Sequence, residues 1–125
     1  MSDLQMKVAF VVLYVNDVEA CVRFWVDKVG MEERARTQAG AFHVVKVGFA
    51  NQDFSFELVP LELMRENPDG LDLATPSVAF RVADLDAARA QLVARGVQAS
   101  EISDQRGPRA FAFSDPEGRW FAVLG

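Results

Sequence analysis

Cysteine and histidine are nearly missing from this chain: Cys21 and His43 each stand alone among 125 residues. A lone thiol excludes an intrachain disulfide, and no Cys/His pair or Ser/His/Asp arrangement is available for nucleophilic chemistry. Basic residues number 13 against 18 acids, giving a net charge of -5 with no Lys/Arg cluster. That balance excludes nucleic acid and an anionic membrane surface as partners, since both need a basic footprint. Long apolar runs are also absent, the longest being Val8 to Val15, far short of a membrane span. Met1-Ser2-Asp3-Leu4-Gln5 has neither the basic start nor the apolar stretch of a signal peptide. The expectation is a soluble, cytoplasmic protein.

What the chain does have is apolar mass. Half of its residues are hydrophobic and ten are Phe, enough for a chain of this size to bury roughly two-thirds of its unfolded surface in one core. It also repeats itself. Val12-Leu13-Tyr14-Val15-Asn16-Asp17-Val18-Glu19-Ala20 matches Ala79-Phe80-Arg81-Val82-Ala83-Asp84-Leu85-Asp86-Ala87 at a constant offset of 67. Each copy reads as a strand, an Asp suited to cap a helix, and an amphipathic helix. The first helix carries Val18, Cys21, Val22, Trp25 and Val29 and stops at Gly30; the second carries Leu85, Ala88 and Leu92 and stops at Gly96. Alternating segments follow at about 31–36, 41–49 and 53–59, and again at 97–102, 109–114 and 119–124. The pattern is βαβββ twice, with half-modules at about 6–59 and 77–125 joined by a linker over 60–76. Leu61 to Glu66 suits one helical turn in that linker, and Asn67-Pro68-Asp69-Gly70 a tight turn. Neither half has enough elements to seal a core alone, so one domain spanning 1–125 is expected.

These features resemble the vicinal oxygen chelate superfamily, which includes glyoxalase I, extradiol dioxygenases, fosfomycin-modifying enzymes and bleomycin resistance proteins. The resemblance is carried by the paired halves, by Phe24-Trp25 and Val29-Gly30-Met31, and by the run Gly107-Pro108-Arg109 through Asp115-Pro116-Glu117-Gly118. It implies an α+β fold whose two modules form a paired, curved mixed sheet with helices on the convex side. It also implies a symmetric homodimer with two equivalent clefts.

Metal-using members of that superfamily take two ligands from each half, usually a His on the first strand and a Glu on the last. The matching positions here hold Phe10 and Glu57, then Ser77 and Ala122. One carboxylate cannot replace the hydration shell of a divalent cation, so neither metal nor other cofactor is expected. His43 could join Glu57 only if the connecting turn placed both on one face: a two-residue loop at Asn51-Gln52 separates them, a three-residue loop unites them.

Strand alternation divides the rest. Val11, Leu13, Val15, Phe54, Phe56, Leu58, Val78, Phe80, Val82, Phe121 and Val123 form a uniformly apolar set suited to lie beneath helices. The other parity gives the candidate ligand contacts Phe10, Val12, Tyr14, Glu57, Ser77, Arg81, Trp120 and Ala122, a mixture typical of a small-molecule pocket. Phe10 and Trp120 either stack on a ligand or fill the space a metal would take. The leading reading is a metal-independent protein that holds a small organic molecule, aromatic or cationic. The alternative is a lyase, isomerase or oxygenase with a non-standard site in which Glu57 is the catalytic base.

Overall fold

Val11–Val15 forms β1, a β-branched and aromatic run in which Leu13 and Val15 are fully buried while Val12 and Tyr14 stay half-buried. This computed structural model describes residues 8–67, 70–74, 76–104 and 109–125. The start of the chain, Pro68 and Asp69 of the expected linker turn, and Gly107 and Pro108 of the closing motif lie outside the described residues. Asp17 accepts a hydrogen bond from the Ala20 N–H at 3.0 Å and starts α1, Val18–Arg23. The helix widens into a π-helical stretch, Phe24–Val29, and ends at Gly30, whose φ of 102° only glycine adopts freely. In the second module Asp84 caps α2, Leu85–Ala94, in the same way, through the Ala87 N–H at 3.0 Å. The two helices close on equivalent bonds: Met31 N–H to the Trp25 carbonyl, and Val97 N–H to the Leu92 carbonyl, each at 2.9 Å. The first bond spans six residues and the second five, so the π stretch holds one extra residue.

Four strands complete the first sheet, in the order β1-β4-β3-β2, with β2 at Glu32–Ala39, β3 at Phe42–Gly48 and β4 at Phe56–Pro60. A 3₁₀ turn at Leu61–Met64 follows where one helical turn is expected. The second sheet runs β5-β7-β6, from β5 at Ala79–Arg81, β6 at Ala110–Ser114 and β7 at Trp120–Leu124. In each sheet the first and last strands of the module pair in parallel, Val12 opposite Glu57 and Ala79 opposite Ala122. The expected strand at 97–102 is reduced to isolated bridges, Ala99 to Phe113 and Ser103 to Ala110. There the Ala112 N–H goes to the Ser100 hydroxyl at 2.9 Å and the Arg89 guanidinium takes the Ser100 carbonyl at 2.7 Å. Side chains thus intercept groups that a regular ladder would pair.

Every residue of the apolar set belongs to one core cluster, which joins both modules, or packs against it, as the partly buried Val11, Phe54, Val78, Phe80 and Val82 do. Trp25, 0% exposed, sits at its centre, with its ring 5.1 Å from both Phe56 and Phe121. Phe56 and Phe121 are themselves 6.0 Å apart. Were the sheets laid side by side through their edge strands β1 and β5, β4 and β7 would stand three strand spacings apart, about 14 Å. The sheets therefore face each other across the helices, and their other faces point away from one another.

A polar clamp locks the modules together. The Asp115-Pro116-Glu117-Gly118 hairpin is folded around the buried Asp115, whose Oδ1 accepts from the Glu117 and Arg119 N–H groups at 2.9 Å each. The Glu117 carboxylate reaches across to the first module and accepts from the Asn16 and Asp17 N–H groups at 2.8 Å. Arg119 donates to the Tyr14 carbonyl and lies 3.5 Å from both the Asp115 and Glu117 carboxylates. Burial, together with these two carboxylates, pushes the Cys21 thiol up to about 12.

Two outcomes test this account. Glu117→Ala strands several backbone donors and should cost about 3 kcal/mol, against about 1 kcal/mol for Asp17→Ala or Asp84→Ala, all measured by urea unfolding. Equal costs would deny the clamp its role. Cys21, protonated and enclosed, should stay unlabelled by a thiol reagent at pH 8 in the native protein and react fully once the chain is unfolded.

Candidate functional site

The outer face of the first sheet brings together Phe10, Val12, Tyr14 and Glu57, all half-buried. The β-ladder places Val12 on one side of Glu57 and Lys46 on the other. Opposed residues on neighbouring strands have Cβ atoms roughly 5 Å apart, so carboxylate and ammonium share one patch. Lys46 nevertheless directs its Nζ over the Phe10 ring, 4.2 Å from the centroid, an attraction between a cation and the negative face of the ring. Among the described residues Glu57 makes neither a side-chain hydrogen bond nor an ion pair. The reading by type alone overlooked Lys46. Its signal lies in β3, where Val45 and Val47 turn to the core and leave Lys46 outside.

The outer face of the second sheet is flatter. Ala79, Ala122 and Ala112 lie in one row across β5, β7 and β6. Trp120 flanks that row and is 49% exposed, while Arg81, also exposed, donates to the Gly125 carbonyl at 3.3 Å. Ser77 is exposed just before β5. A floor of three methyl groups beside an open indole offers a planar apolar surface.

Because the sheets face each other, these two outer faces do not converge within one chain. Phe10 and Glu57 look one way and Ser77 and Ala122 the other, so Arg81 does not pair with Glu57. His43 cannot join Glu57 either. The connection from β3 to β4 runs over 49–55, and Lys46 opposite Glu57 puts His43 on the other parity. There it is exposed, near enough to Glu19 and Glu33 to lower both carboxyls slightly, behind the larger effect of Arg36. Among the described residues no three His, Cys, Asp or Glu side chains gather at one point. The donors at the ligand-equivalent positions, one carboxylate and one hydroxyl on opposed faces, do not fit a divalent cation. The arrangement can stack flat molecules, hold a charge beside Glu57 or Lys46, and accept a proton on Glu57.

A pocket of about 640 Å³ lies elsewhere, on the inner side of the second sheet. Of the expected ligand contacts it includes only Arg81.

No helix among the described residues is long and apolar enough to cross a membrane. No curated protein sequence matches the chain. Solved structures share its fold. TnmS3, an antibiotic binding protein from Streptomyces sp. CB03234, aligns with a TM-score of 0.78 at 23% identity over 99% of this chain and 98% of its own. A member of the same superfamily from Sphaerobacter thermophilus DSM 20745 aligns at 0.77 and 24% identity, over 96% and 97%. A glyoxalase/bleomycin resistance protein from Streptomyces sp. CB03234 gives 0.71 and 24%, over 95% and 100%. At such identities the likeness carries the fold alone. The family is settled by the sequence, which matches the family model over residues 7–123, so the chain belongs to the Glyoxalase/Bleomycin resistance protein/Dioxygenase superfamily.

Proposed function

We propose that this protein is a metal-independent, cytoplasmic binder of planar aromatic small molecules. It works as a symmetric homodimer in which the Phe10, Val12, Tyr14 and Glu57 face of one copy meets the Ser77, Arg81, Trp120 and Ala122 face of the other. The observation that carries this reading is the Phe10, Lys46 and Glu57 cluster. Lys46 rests on an aromatic face instead of pairing with the carboxylate opposite it. A flat ligand that stacks on Phe10 displaces the ammonium, at a cost of roughly 0.5–1 kcal/mol at an open site. The released Lys46 then falls to Glu57, so the displacement is offset in place. This exchange favours aromatic character first, with a ligand cation as a secondary feature that competes with Lys46 for Glu57.

Membership of a superfamily named in part for bleomycin resistance proteins, with an antibiotic binding protein sharing the fold, supports a small organic ligand. Two further facts support the dimer: each outer face is open on its own, and Trp120 stands half-exposed with no aromatic partner among the described residues. As an enzyme, the site would have Glu57 alone as a base, with Lys46 the charged residue opposite it in the chain's own ladder; the binding reading therefore stands on more of the structure.

Acriflavine, a planar cation, serves as the probe. Light scattering should give twice the 13.8 kDa chain mass. Phe10→Ala and Trp120→Ala should each weaken binding about ten-fold or more, with little change in unfolding. Mixed and refolded together, the two variants should recover tight binding at one of the two clefts of each heterodimer, about a quarter of all sites in a statistical mixture, because that cleft then carries both intact faces. A monomer, or mixed variants that recover nothing, would overturn the shared cleft. Stoichiometric metal in the purified protein, with a melting temperature lowered by chelator, would overturn the metal-independent reading.

A further inference from the structure

The two modules are not equally filled. Trp25 and Leu92 hold equivalent places, since each gives its carbonyl to the N–H that closes its helix, from Met31 and Val97 respectively. The residues before them are Phe24 and Gln91. In the first module the buried indole and phenyl groups of Trp25 and Phe24 fill the space between helix and sheets. In the second module leucine and glutamine leave a pocket of about 640 Å³, bounded by Leu92, Val78, Phe80 and Phe113 and by Phe49 and Phe54 of the 49–55 connection. The clamp is unequal in the same sense. Gln52 stands where Glu117 stands in the other hairpin, two strands of equal role being offset by 65. Among the described residues its side chain makes no bond to the start of α2.

The walls of this pocket are held in place. The Arg34 guanidinium donates to the carbonyls of Phe49, Gln52 and Phe54. Gly48 lets the loop close tightly, as a Cβ there would lie 2.6 Å from the Phe54 carbonyl oxygen. On the other side Arg95 donates to the Lys28 carbonyl at 2.9 Å, which ties the end of α2 to the end of the first helix. A preformed cavity of this volume is of the size that takes drug-sized ligands.

We propose that this pocket is a second ligand site, distinct from the outer face, for a neutral planar aromatic molecule of bicyclic size. The occupant lies against Phe49, Phe54, Phe80 and Phe113, in the space that Leu92 leaves open where the first module carries the Trp25 indole. Trp25 meets Phe24, Phe113 and Phe121 edge to face, at interplanar angles of 84°, 70° and 83°, and Phe49 meets Phe80 in the same way at 85°, so a guest ring that joins this cluster has edge-to-face packing open to it. Gln91 and Asn51 line the same pocket and supply amide groups for one polar substituent. The site opens on the inner side of the second sheet, whereas Glu57 and Trp120 face outward, so it does not rest on the function proposed above.

The test uses N-phenyl-1-naphthylamine, a neutral bicyclic dye that brightens in apolar surroundings. It should bind the wild-type protein saturably, one per chain, and excess acriflavine should not displace it. Methyl resonances of Val78, Val82 and Leu92 should shift on binding, with those of Val12 and Val59 unmoved. Leu92→Trp, which rebuilds the plug of the first module, should weaken dye binding by roughly ten-fold or more while the melting temperature holds or rises. Where that variant does not fold, Ala88→Leu narrows the pocket with a smaller change and should give the same loss. Absence of saturable binding, shifts confined to Val12 and Val59, or full dye affinity in a folded Leu92→Trp protein would each overturn the proposal.

Discussion

Trp25 is asked to cover two sheets at once. Its ring lies at the same 5.1 Å from Phe56 of the first sheet and Phe121 of the second, and neither sheet has another fully buried aromatic on the helix layer to replace it. Apolar faces are driven together by the area they remove from water, and here one side chain of the first helix packs on both inner faces, with Leu85 and Leu92 of α2 adding to the same core. The consequence reaches well beyond stability. Once the inner faces look at each other, the outer faces look apart, and residues that correspond across the repeat are carried to opposite sides of the molecule. Phe10 and Ser77, or Glu57 and Ala122, are equivalent in sequence and remote in space.

The clamp at Glu117 works on the same joint with different physics. A carboxylate that accepts from the exposed N–H groups ahead of α1 satisfies donors that the helix itself leaves free, and it suits the positive end of the helix dipole. Its own charge is balanced by Arg119, which also reaches the Tyr14 carbonyl. The second hairpin is thereby fixed to the first helix, while the first hairpin, with Asn51 and Gln52, has no such hold on α2. A repeat of two like modules has become one tightly filled half and one half with room inside it. Duplicated folds gain new sites in this way, because one copy can keep the core intact while the other loosens.

The chemistry of the outer face follows from what replaced the metal ligands. A phenyl ring, a methyl group and a hydroxyl at three of the four family positions cannot bind a cation, but they do not leave the surface inert. Phe10 draws Lys46 across it, and Glu57 waits opposite. Such a patch is neutral overall yet internally charged, and it can exchange one contact for another when a flat molecule arrives. Cys21, buried against the clamp, stands apart from both this patch and the inner pocket, the two places proposed to meet small molecules.

Periodicity and repetition in the sequence were enough to place both helices, both Asp caps, both glycine stops and the inward-facing apolar residues of β1, β4, β5 and β7. Those features depend on interactions within a few residues or on the strict alternation of a strand, so the linear order contains them. The weak strand at 97–102 was not legible, because Ser100 and Arg89 capture its backbone through bonds between distant segments. Nor was the register that sets Lys46 beside Glu57 and sends His43 to the opposite face, since that depends on a seven-residue connection whose path Arg34 and Gly48 decide. The role of Glu117, read from sequence only as part of a turn, exists because a residue 100 positions away offers its N–H. Whether two outer faces converge or diverge is likewise a property of how the sheets stack. Local chemistry chooses the elements, but only packing across the whole chain decides which of their faces meet.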